Sequence, residues 1–370
     1  MKILHIVASR PKGGIGTFLR ELVGHSSNSS HDFLISSKED DGEFDQDVTK
    51  KGSEVFVAAP LNRPFCYMRD VYKFFKNRKL EVEYDFIHVH SPIVFLFVWF
   101  INKLSINKRL IAHSHSIKYS DSALGVIRNY ILYRPIRYFS DINISCSMSA
   151  GEFLFGKCCF HIVRNGIDTK LYTYSEDDRR KIRKELELSD NFIIGQVGAF
   201  FKVKNHSFTL KVLDSIRSKS PEVFNTIRLV FIGDGPEMDS ITAKVNDLNL
   251  KESVVFWGRT NEPHKFYSAF DLFVMPSKFE GVPLSGVEAQ ASGLNCLFSN
   301  KVSQDVNFIN SQFLSIDNCE YWSEKIIKYS LSKTNNNRCE CAEIIKRKGG
   351  DSRAIVYDLE TIYLESIKEN

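Results

Sequence analysis

The sequence predicts an α/β chain carrying two doubly wound parallel sheets, on three observations. The chain has 370 residues, too many for one ordinary core and enough for two domains of roughly 150–200 residues each. Short apolar strands alternate with helical stretches through the first half. The same alternation begins again near Asn191. Two such sheets in succession imply a cleft between them.

In order, Lys2–Ala8 reads as a buried parallel strand, Pro11–Gly16 as a loop, and Thr17–Val23 as the helix after it. Strands are expected at Phe33–Ser36, Glu54–Ala58, Phe86–His90, Leu110–Ser114 and Ile142–Ser145. Helices are expected at Arg69–Arg78 and Leu124–Phe139. In the second half, strands are expected at Asn191–Gly198, Ile227–Ile232, Val254–Trp257, Leu272–Met275 and Asn295–Phe298, with helices at Ser207–Ser218, Ser240–Leu248 and Leu284–Ser292. The boundary falls within Asn165–Ser189, where Asn165-Gly166 marks a turn and a charged helix, Glu176–Glu187, follows. The first domain is set at residues 1–170 and the second at 171–350. Residues 351–370 hold a closing helix that packs back on the first.

Composition is that of a soluble globular protein: 43% apolar, 25% charged, with 29 phenylalanines that imply large cores. Met1–Val7 is too short for a signal peptide, and Arg10 and Lys12 follow it. The longest apolar run, Ile93–Ile101, falls short of the about 20 residues that a membrane span needs and reads as buried. A cytoplasmic protein is expected. Its eight cysteines include no CxxC pair, so free, mostly buried thiols and no metal are expected. Residues 1–170 carry 23 Lys and Arg against 17 Asp and Glu, a balance of +6, whereas the remainder carries 26 against 28. The first half is therefore the one to meet an anionic surface or substrate. A pI of 8.5 with mixed charge does not point to nucleic acid.

Five segments could carry chemistry. Gly13-Gly14-Ile15-Gly16 stands between a strand and a helix, where bare backbone and a helix N-terminus can meet a phosphate. It is neither GxGxxG nor a P-loop, and a plain tight turn would look the same. Gly198-Ala199-Phe200-Phe201-Lys202-Val203-Lys204-Asn205-His206 follows a strand, at the end where open α/β sheets bind ligands. A lysine there can neutralise a diphosphate, though solvated surface lysines are the commoner case. Ile232-Gly233-Asp234-Gly235-Pro236 is a strand-to-helix corner in which Asp234 caps a helix or touches ligand.

The fourth segment, Phe279–Gln290, places Glu280 in a loop and Glu288 inside the following helix. A diphosphate at that helix N-terminus would bring one flanking sugar to each carboxylate, and carboxylates bind vicinal hydroxyls well. Gly286 inside the helix costs about 1 kcal/mol against Ala and implies close approach by backbone or ligand. The fifth is Ile111-Ala112-His113-Ser114-His115-Ser116. His113 and His115 alternate along it and are expected on opposite sides, one of them toward the cleft. A zinc site would need both on one side, and no DxD-like metal site stands out.

Taken together and in order, these segments resemble glycosyltransferase family 4, a retaining family of GT-B architecture. The likeness runs over nearly the whole chain and is strongest over Gly198–Ser299, where Glu280 and Glu288 fit an E-x(7)-E pattern. Val254–Gly258, Asp271–Ser277, Gly13–Gly16, His113–Ser116 and Arg164–Asp168 fall in the family's order.

The resemblance implies two Rossmann-like domains and a set of roles. Gly14 and Gly16 would line the donor phosphates. Lys204 would pair with the leaving diphosphate, Glu280 would hold the transferred sugar, and Glu288 the ribose. His115 would stand near that sugar. Trp257, Gly258 and Arg259 would border the base, and Gly281, Pro283, Leu284 and Ser285 the phosphates. Ala199 departs from the family, whose arginine there clamps the diphosphate; Lys202 is the candidate substitute, as a point charge rather than a fork.

The implied reaction moves a hexosyl unit, most simply from a UDP-sugar, to a hydroxyl of a glycan acceptor. That acceptor would be a lipid-linked glycan of a bacterial capsule or exopolysaccharide. No cofactor or metal is implied. Arg128–Tyr138 mixes basic and aromatic residues as interfacial helices do, so peripheral attachment to the cytoplasmic membrane face is expected. A nucleotide-sugar epimerase of the same architecture and a non-catalytic nucleotide-sugar-binding protein are the alternatives.

Overall fold

The computed structural model describes residues 1–11, 13–37, 42–78, 83–116, 119, 122–309, 311–332 and 337–368. Lys12 lies outside them. The chain forms two compact units, Met1–Gly166 with Ser352–Asn370, and Ile167–Asp351.

The first unit carries strands β1 (Lys2–Val7), β2 (Ser30–Ser36), β3 (Val55–Ala58), β4 (Phe86–Val89), β5 (Arg109–Ser114), β6 (Ile142–Ser145) and β7 (His161–Ile162). They pair in the order β3-β2-β1-β4-β5-β6-β7, every pair parallel. The second unit carries β8 (Phe192–Val197), β9 (Ile227–Ile232), β10 (Val254–Gly258), β11 (Leu272–Met275), β12 (Asn295–Ser299) and β13 (Ser311–Leu314). Their order is β10-β9-β8-β11-β12-β13, again all parallel. Helices cover both faces of each sheet, which is why strands such as Ile227–Ile232 are apolar almost throughout. In each sheet the strand order reverses once, between β1 and β4 and between β8 and β11. An open parallel sheet has its crevice at that switch point, outside the C-terminal ends of the strands.

Three local differences from the sequence expectation have simple causes. Gly13, Gly14 and Gly16 form the first turn of the helix Gly13–His25 rather than a loop before it. Gly16 is small because a Cβ there would stand 3.0 Å from the Pro11 carbonyl. The helix expected over Leu124–Phe139 is two, Ala123–Tyr133 and Ile136–Phe139, because Pro135 has no N–H to continue the ladder. The strands β7 and β13 were not anticipated; each is an edge strand, and β7 pairs only two residues.

The helix Ser352–Lys368 belongs to the first unit. Its Ile355, Val356, Leu359 and Tyr363 join Leu19 and Leu22 in one core, and Ser352 Oγ donates to Glu21 at 2.6 Å. Among the described residues no helix is long and apolar enough to cross a membrane. The run Ile93–Ile101 lies in the helix Pro92–Ser105, with Val94, Phe95, Val98 and Ile101 buried and Phe100 exposed. Of the eight unpaired cysteines only Cys296 and Cys341 are buried, because most of the others stand on loops and outer helix turns.

The second unit is tied by buried charge. Asp271, which precedes β11, accepts from Arg179 at 2.6 Å, from Arg183, and from the Ile193 amide at 2.7 Å. Arg338, buried beside them, donates to the carbonyls of Tyr267, Phe270 and Ser292 and lies over the Tyr174 ring at 4.2 Å. Burial draws Arg338 down to about 10. Removing the one carboxylate would strand the Arg183 charge, so Asp271→Ala is expected to cost about 3–5 kcal/mol. Urea unfolding should report it as a lower midpoint. The exposed pair Arg180–Asp177 should give no such shift when Arg180 becomes Ala.

Candidate active site

On the β8 side of the switch point in the second sheet, three adjacent strands end in glycines. Gly198, Gly233 and Gly258 follow or close β8, β9 and β10 with φ of 153°, 135° and 84°. The Gly198 amide donates to Ile232 O at 2.9 Å, and the Gly233 amide to Gly258 O at 2.8 Å. A Cβ on Gly233 would stand 2.2 Å from the Gly198 carbonyl oxygen, so no other residue fits. This edge is bare backbone, which a ligand can approach closely.

The lysine loop is held against that edge. Residues Lys202–Lys204 make one 3₁₀ turn, ended by Asn205 in the left-handed region. Asn205 Nδ2 donates to Pro276 O at 3.0 Å, and the Lys278 amide to Val203 O at 2.8 Å. These bonds join the loop after β8 to the loop after β11. Their result is an ion pair: Lys204 Nζ stands 2.7 Å from Glu280 Oε1, with the two side chains 20% and 17% exposed. Lys204 also runs along Gly198, where a Cβ would meet its Cε at 3.5 Å. Behind it His206 stacks on Phe200 at 4.0 Å, and burial, aided by the Lys204 charge, lowers it to about 4.

The helix Leu284–Ala291 starts after Pro283 with no side-chain cap, so its first amides remain open to a ligand. Gly281 is exposed, Leu284 buried and Ser285 half-buried. Glu288, one turn further in, is buried and accepts from Tyr267 Oη at 2.7 Å. Gly286 is small because a Cβ would stand 3.0 Å from the Phe298 ring and 3.1 Å from Val306. Side chains, and neither backbone nor ligand, impose it. Trp257 packs on Phe266 at 4.8 Å, and Arg259 reaches out beside Asp234, Nε to Oδ2 3.8 Å. Asp234 does not cap the next helix, whose N-cap is Glu237. Lys202 is not drawn to Lys204 and Glu280. It lines a separate cavity of about 260 Å³ with His206, Glu237 and Lys278.

The first unit has its own cavity, about 240 Å³, at the ends of β1, β4 and β5. Ala8, Ile15, His90, Ser91 and His115 line it. Gly14 is near, and a Cβ on it would meet Asn165 Nδ2 at 3.8 Å. His113 and His115 do not face opposite sides. Residues two apart line one face of an extended segment, and these rings stack at 3.9 Å. Phe18 packs edge-on against both.

Four further histidines join them: His5 on β1, His31 on β2, and His88 and His90 on and after β4. Their signal in the sequence is the histidines that interrupt the buried strands at Lys2–Val7 and Phe86–His90, which singly look like core residues, whereas 113 and 115 stand out as a pair. His5, His88 and His90, and likewise His90, His113 and His115, bring nitrogens within 4.8 Å of one another, as metal ligands could. The separations between His5, His90 and His115 are 2.9 Å, those of hydrogen bonds. Two nitrogens at 2.0–2.1 Å from a tetrahedral zinc stand roughly 3.3–3.4 Å apart. Asp45-Gln46-Asp47 does have DxD spacing, but Asp45 is paired to Arg10 and Asp47 to Arg20, the latter at 2.7 Å.

Each unit matches a family model. Residues 12–171 match Glycosyltransferase Family 4, and residues 178–346 match Glycosyl transferases group 1. The chain belongs to the glycosyltransferases. This glycosyltransferase is 28% identical to EpsF of Bacillus subtilis, named as a glycosyltransferase, over 83% of this chain and 81% of that one. It is 24% identical to the UDP-Gal:alpha-D-GlcNAc-diphosphoundecaprenol alpha-1,3-galactosyltransferase of Escherichia coli, over 66% of each. Its fold is that of the crystal structure of HepE from Anabaena in complex with UDP-glucose, with a TM-score of 0.78, 19% identity and 100% of both chains covered. The glycosyltransferase is thus of GT-B architecture, with sheets of seven and six parallel strands.

Its six clustered histidines make an acid-labile core. Burial lowers His5, His88, His90 and His113 well below 6.5, His31 to about 4 and His115 to about 3. The folded-state values lie below the unfolded one, so the stability is fully present above pH 6.5 and is lost as pH falls below it. At pH 5 His31 and His115 each cost about 2 kcal/mol, and the other four rings act in the same direction. Hydrogen exchange across a pH series should find the first unit opening by about pH 5. Full protection of β1 and β4 at that pH would contradict the neutral cluster.

Proposed function

We propose that the protein transfers a sugar from a nucleotide diphosphate, UDP in the simplest case, to a hydroxyl of a lipid-linked glycan during assembly of a cell-surface polysaccharide. The observation that carries this reading is the Lys204–Glu280 ion pair beside the bare glycine edge of the second sheet. Support for the donor comes from HepE, whose fold this chain shares and which was crystallised with UDP-glucose. Support for the acceptor comes from the Escherichia coli relative, whose name specifies a diphosphoundecaprenol-linked sugar.

In this reading the two partners of the ion pair part when donor binds. The diphosphate takes Lys204 and the open amides of Leu284 and Ser285, and the sugar hydroxyls donate to Glu280. Glu288, held by Tyr267, accepts from the ribose. Trp257, Gly258 and Arg259 border the base. Negative charge grows on the diphosphate as it leaves, and a fixed lysine in a site shielded from water stabilises it without metal. The leaving phosphate takes the proton of the acceptor hydroxyl, so attack comes from the departing face and configuration is retained. His115 and the glycines 14 and 16 line the sugar and phosphate side of the first unit.

Lys204→Ala should lower kcat by about 10²–10³-fold with a smaller change in KM. The assay is UDP release from a panel of UDP- and GDP-sugars with a polyprenyl-diphosphate-linked sugar as acceptor, with and without EDTA. Unchanged turnover in Lys204→Ala would sink the charge-stabilising role. Loss of turnover in EDTA would sink the metal-free one.

The acceptor side rests on the helix Ala123–Tyr133. Leu124, Ile127 and Ile131 are 83%, 62% and 64% exposed along one stripe. Arg134 lies over Tyr130 and Arg137 over Tyr138, at 5.1 and 4.8 Å. An apolar stripe edged by Arg and Tyr fits the interface of an anionic membrane. The protein should co-sediment with phosphatidylglycerol vesicles at low salt, and Ile127→Glu with Ile131→Glu should abolish this while leaving donor hydrolysis unchanged. Equal sedimentation of that variant would remove the helix from the membrane contact.

A further inference from the structure

The histidines of the first unit form a file with two distinct ends. Ser26 Oγ and Ser29 Oγ lie 2.7 and 3.0 Å from His31 Nε2. His31 Nδ1 lies 2.8 Å from His5 Nε2, and His5 Nδ1 lies 2.9 Å from His90 Nε2. His90 Nδ1 lies 2.9 Å from His115 Nε2. The file ends at His115, whose ring lines the cavity and whose Nδ1 is buried with no hydrogen-bond partner among the described residues.

A neutral imidazole carries one N–H, so each ring donates through one nitrogen and accepts through the other. Fixing the proton on one ring fixes it on all four. The outer end supplies that constraint. Ser29 Oγ donates to Glu360 Oε1 at 2.5 Å, and a carboxylate is a stronger acceptor than an imidazole. Ser26 Oγ donates to the Leu22 carbonyl at 2.8 Å. With both hydroxyl protons committed, the hydroxyl oxygens can only accept, and His31 Nε2 carries the N–H. His5 then donates from Nε2 to His31, His90 from Nε2 to His5, and His115 from Nε2 to His90. His115 Nδ1 is left as a bare lone pair.

Glu360 is suited to this task. Burial alone would raise its carboxyl, but the Ser29 hydroxyl and the Asn28 and Ser27 amides hold it below its usual range. It remains an anion that only accepts. Tyr363, one turn on, contacts His88 at 2.6 Å, a ring outside the file that stacks on His90 at 4.2 Å.

We propose that this file is a tautomer lock in which Glu360, acting through Ser29, His31, His5 and His90, holds His115 Nδ1 as a hydrogen-bond acceptor for a sugar hydroxyl in the cavity. The proposal rests on the reading of His115 as a sugar-site residue, and it adds which nitrogen faces the ligand and what sets its proton state. Glu360, His31 and His5 are positioning residues that reach no ligand. A fixed acceptor selects for a ligand that presents O–H at that point, and against one bearing hydrogen or fluorine instead.

The test is histidine-selective ¹⁵N labelling of the full chain, with two-bond proton–nitrogen correlations recorded without donor. His5, His31, His90 and His115 should all be the Nε2–H form. Ser26, its proton on the Leu22 carbonyl, would still accept from His31, so each variant also carries Ser26→Ala: Glu360→Leu then frees the Ser29 proton for His31, and Ser29→Ala removes the remaining acceptor; each pair should bring the Nδ1–H form of His115 to at least equal population. Two variants are used because either could disturb the turn it stands in. His115 found as Nδ1–H in the parent protein overturns the lock. So does an unaltered His115 in both folded variants, or zinc that shifts these rings at one equivalent per chain. No donor is present, so failure here leaves the sugar-site reading intact. That reading fails separately if His115→Phe retains full turnover in the UDP-release assay.

Discussion

The strands of both sheets pair in parallel and the central ones are covered on both faces, so a polar group placed along a central strand needs a buried partner. Chemistry is therefore pushed to the C-terminal ends, and within those ends to the switch points, where the neighbouring connections depart to opposite faces and leave room. The Lys204–Glu280 pair stands at one such point and His115 at the other. Neither position reflects a preference of those residues for loops. Each follows from the strand order that surrounds it.

The two units meet the cost of buried polar groups differently. In the second, charge is balanced by charge: Asp271 serves Arg179 and Arg183, and Arg338 is satisfied by carbonyls at the ends of neighbouring elements. The first also pairs charge, in Lys2–Asp32 and Arg10–Asp45, but adds six imidazoles that contact one another in files, with Glu360 at one end. Histidine suits the place because it can be uncharged and still both donate and accept.

Much of the candidate site was legible. Glu280 and Glu288 stand out by spacing, and Lys204 by its position after a strand. That Lys204 and Glu280 touch was not legible, since Asn205 and Lys278 make the joining bonds across some seventy residues of chain. Lys202 and Lys204 look equivalent as a sequence, yet one 3₁₀ turn sends Lys202 to the cavity beside His206 and Lys204 to Glu280. Tyr267 left no signal at all, because its hydroxyl matters only through the buried Glu288 it meets. The glycines split in the same way. Gly233 reads as a turn and is one, whereas Gly286 reads as a ligand contact and is spaced by Phe298.

By itself the sequence determined the alternation of buried strands and amphipathic helices, the two-sheet organisation and the order of the motifs, because these depend on local periodicity and on turn chemistry. Only the tertiary structure decided which polar side chains meet. The histidine file needs β1, β2 and β4 in register and the helix Ser352–Lys368 returned to the first unit, so that Glu360 stands beside Ser29, some 330 residues away. A hydrogen bond acts over about 3 Å, and nothing in local patterning records which distant residues will come that close.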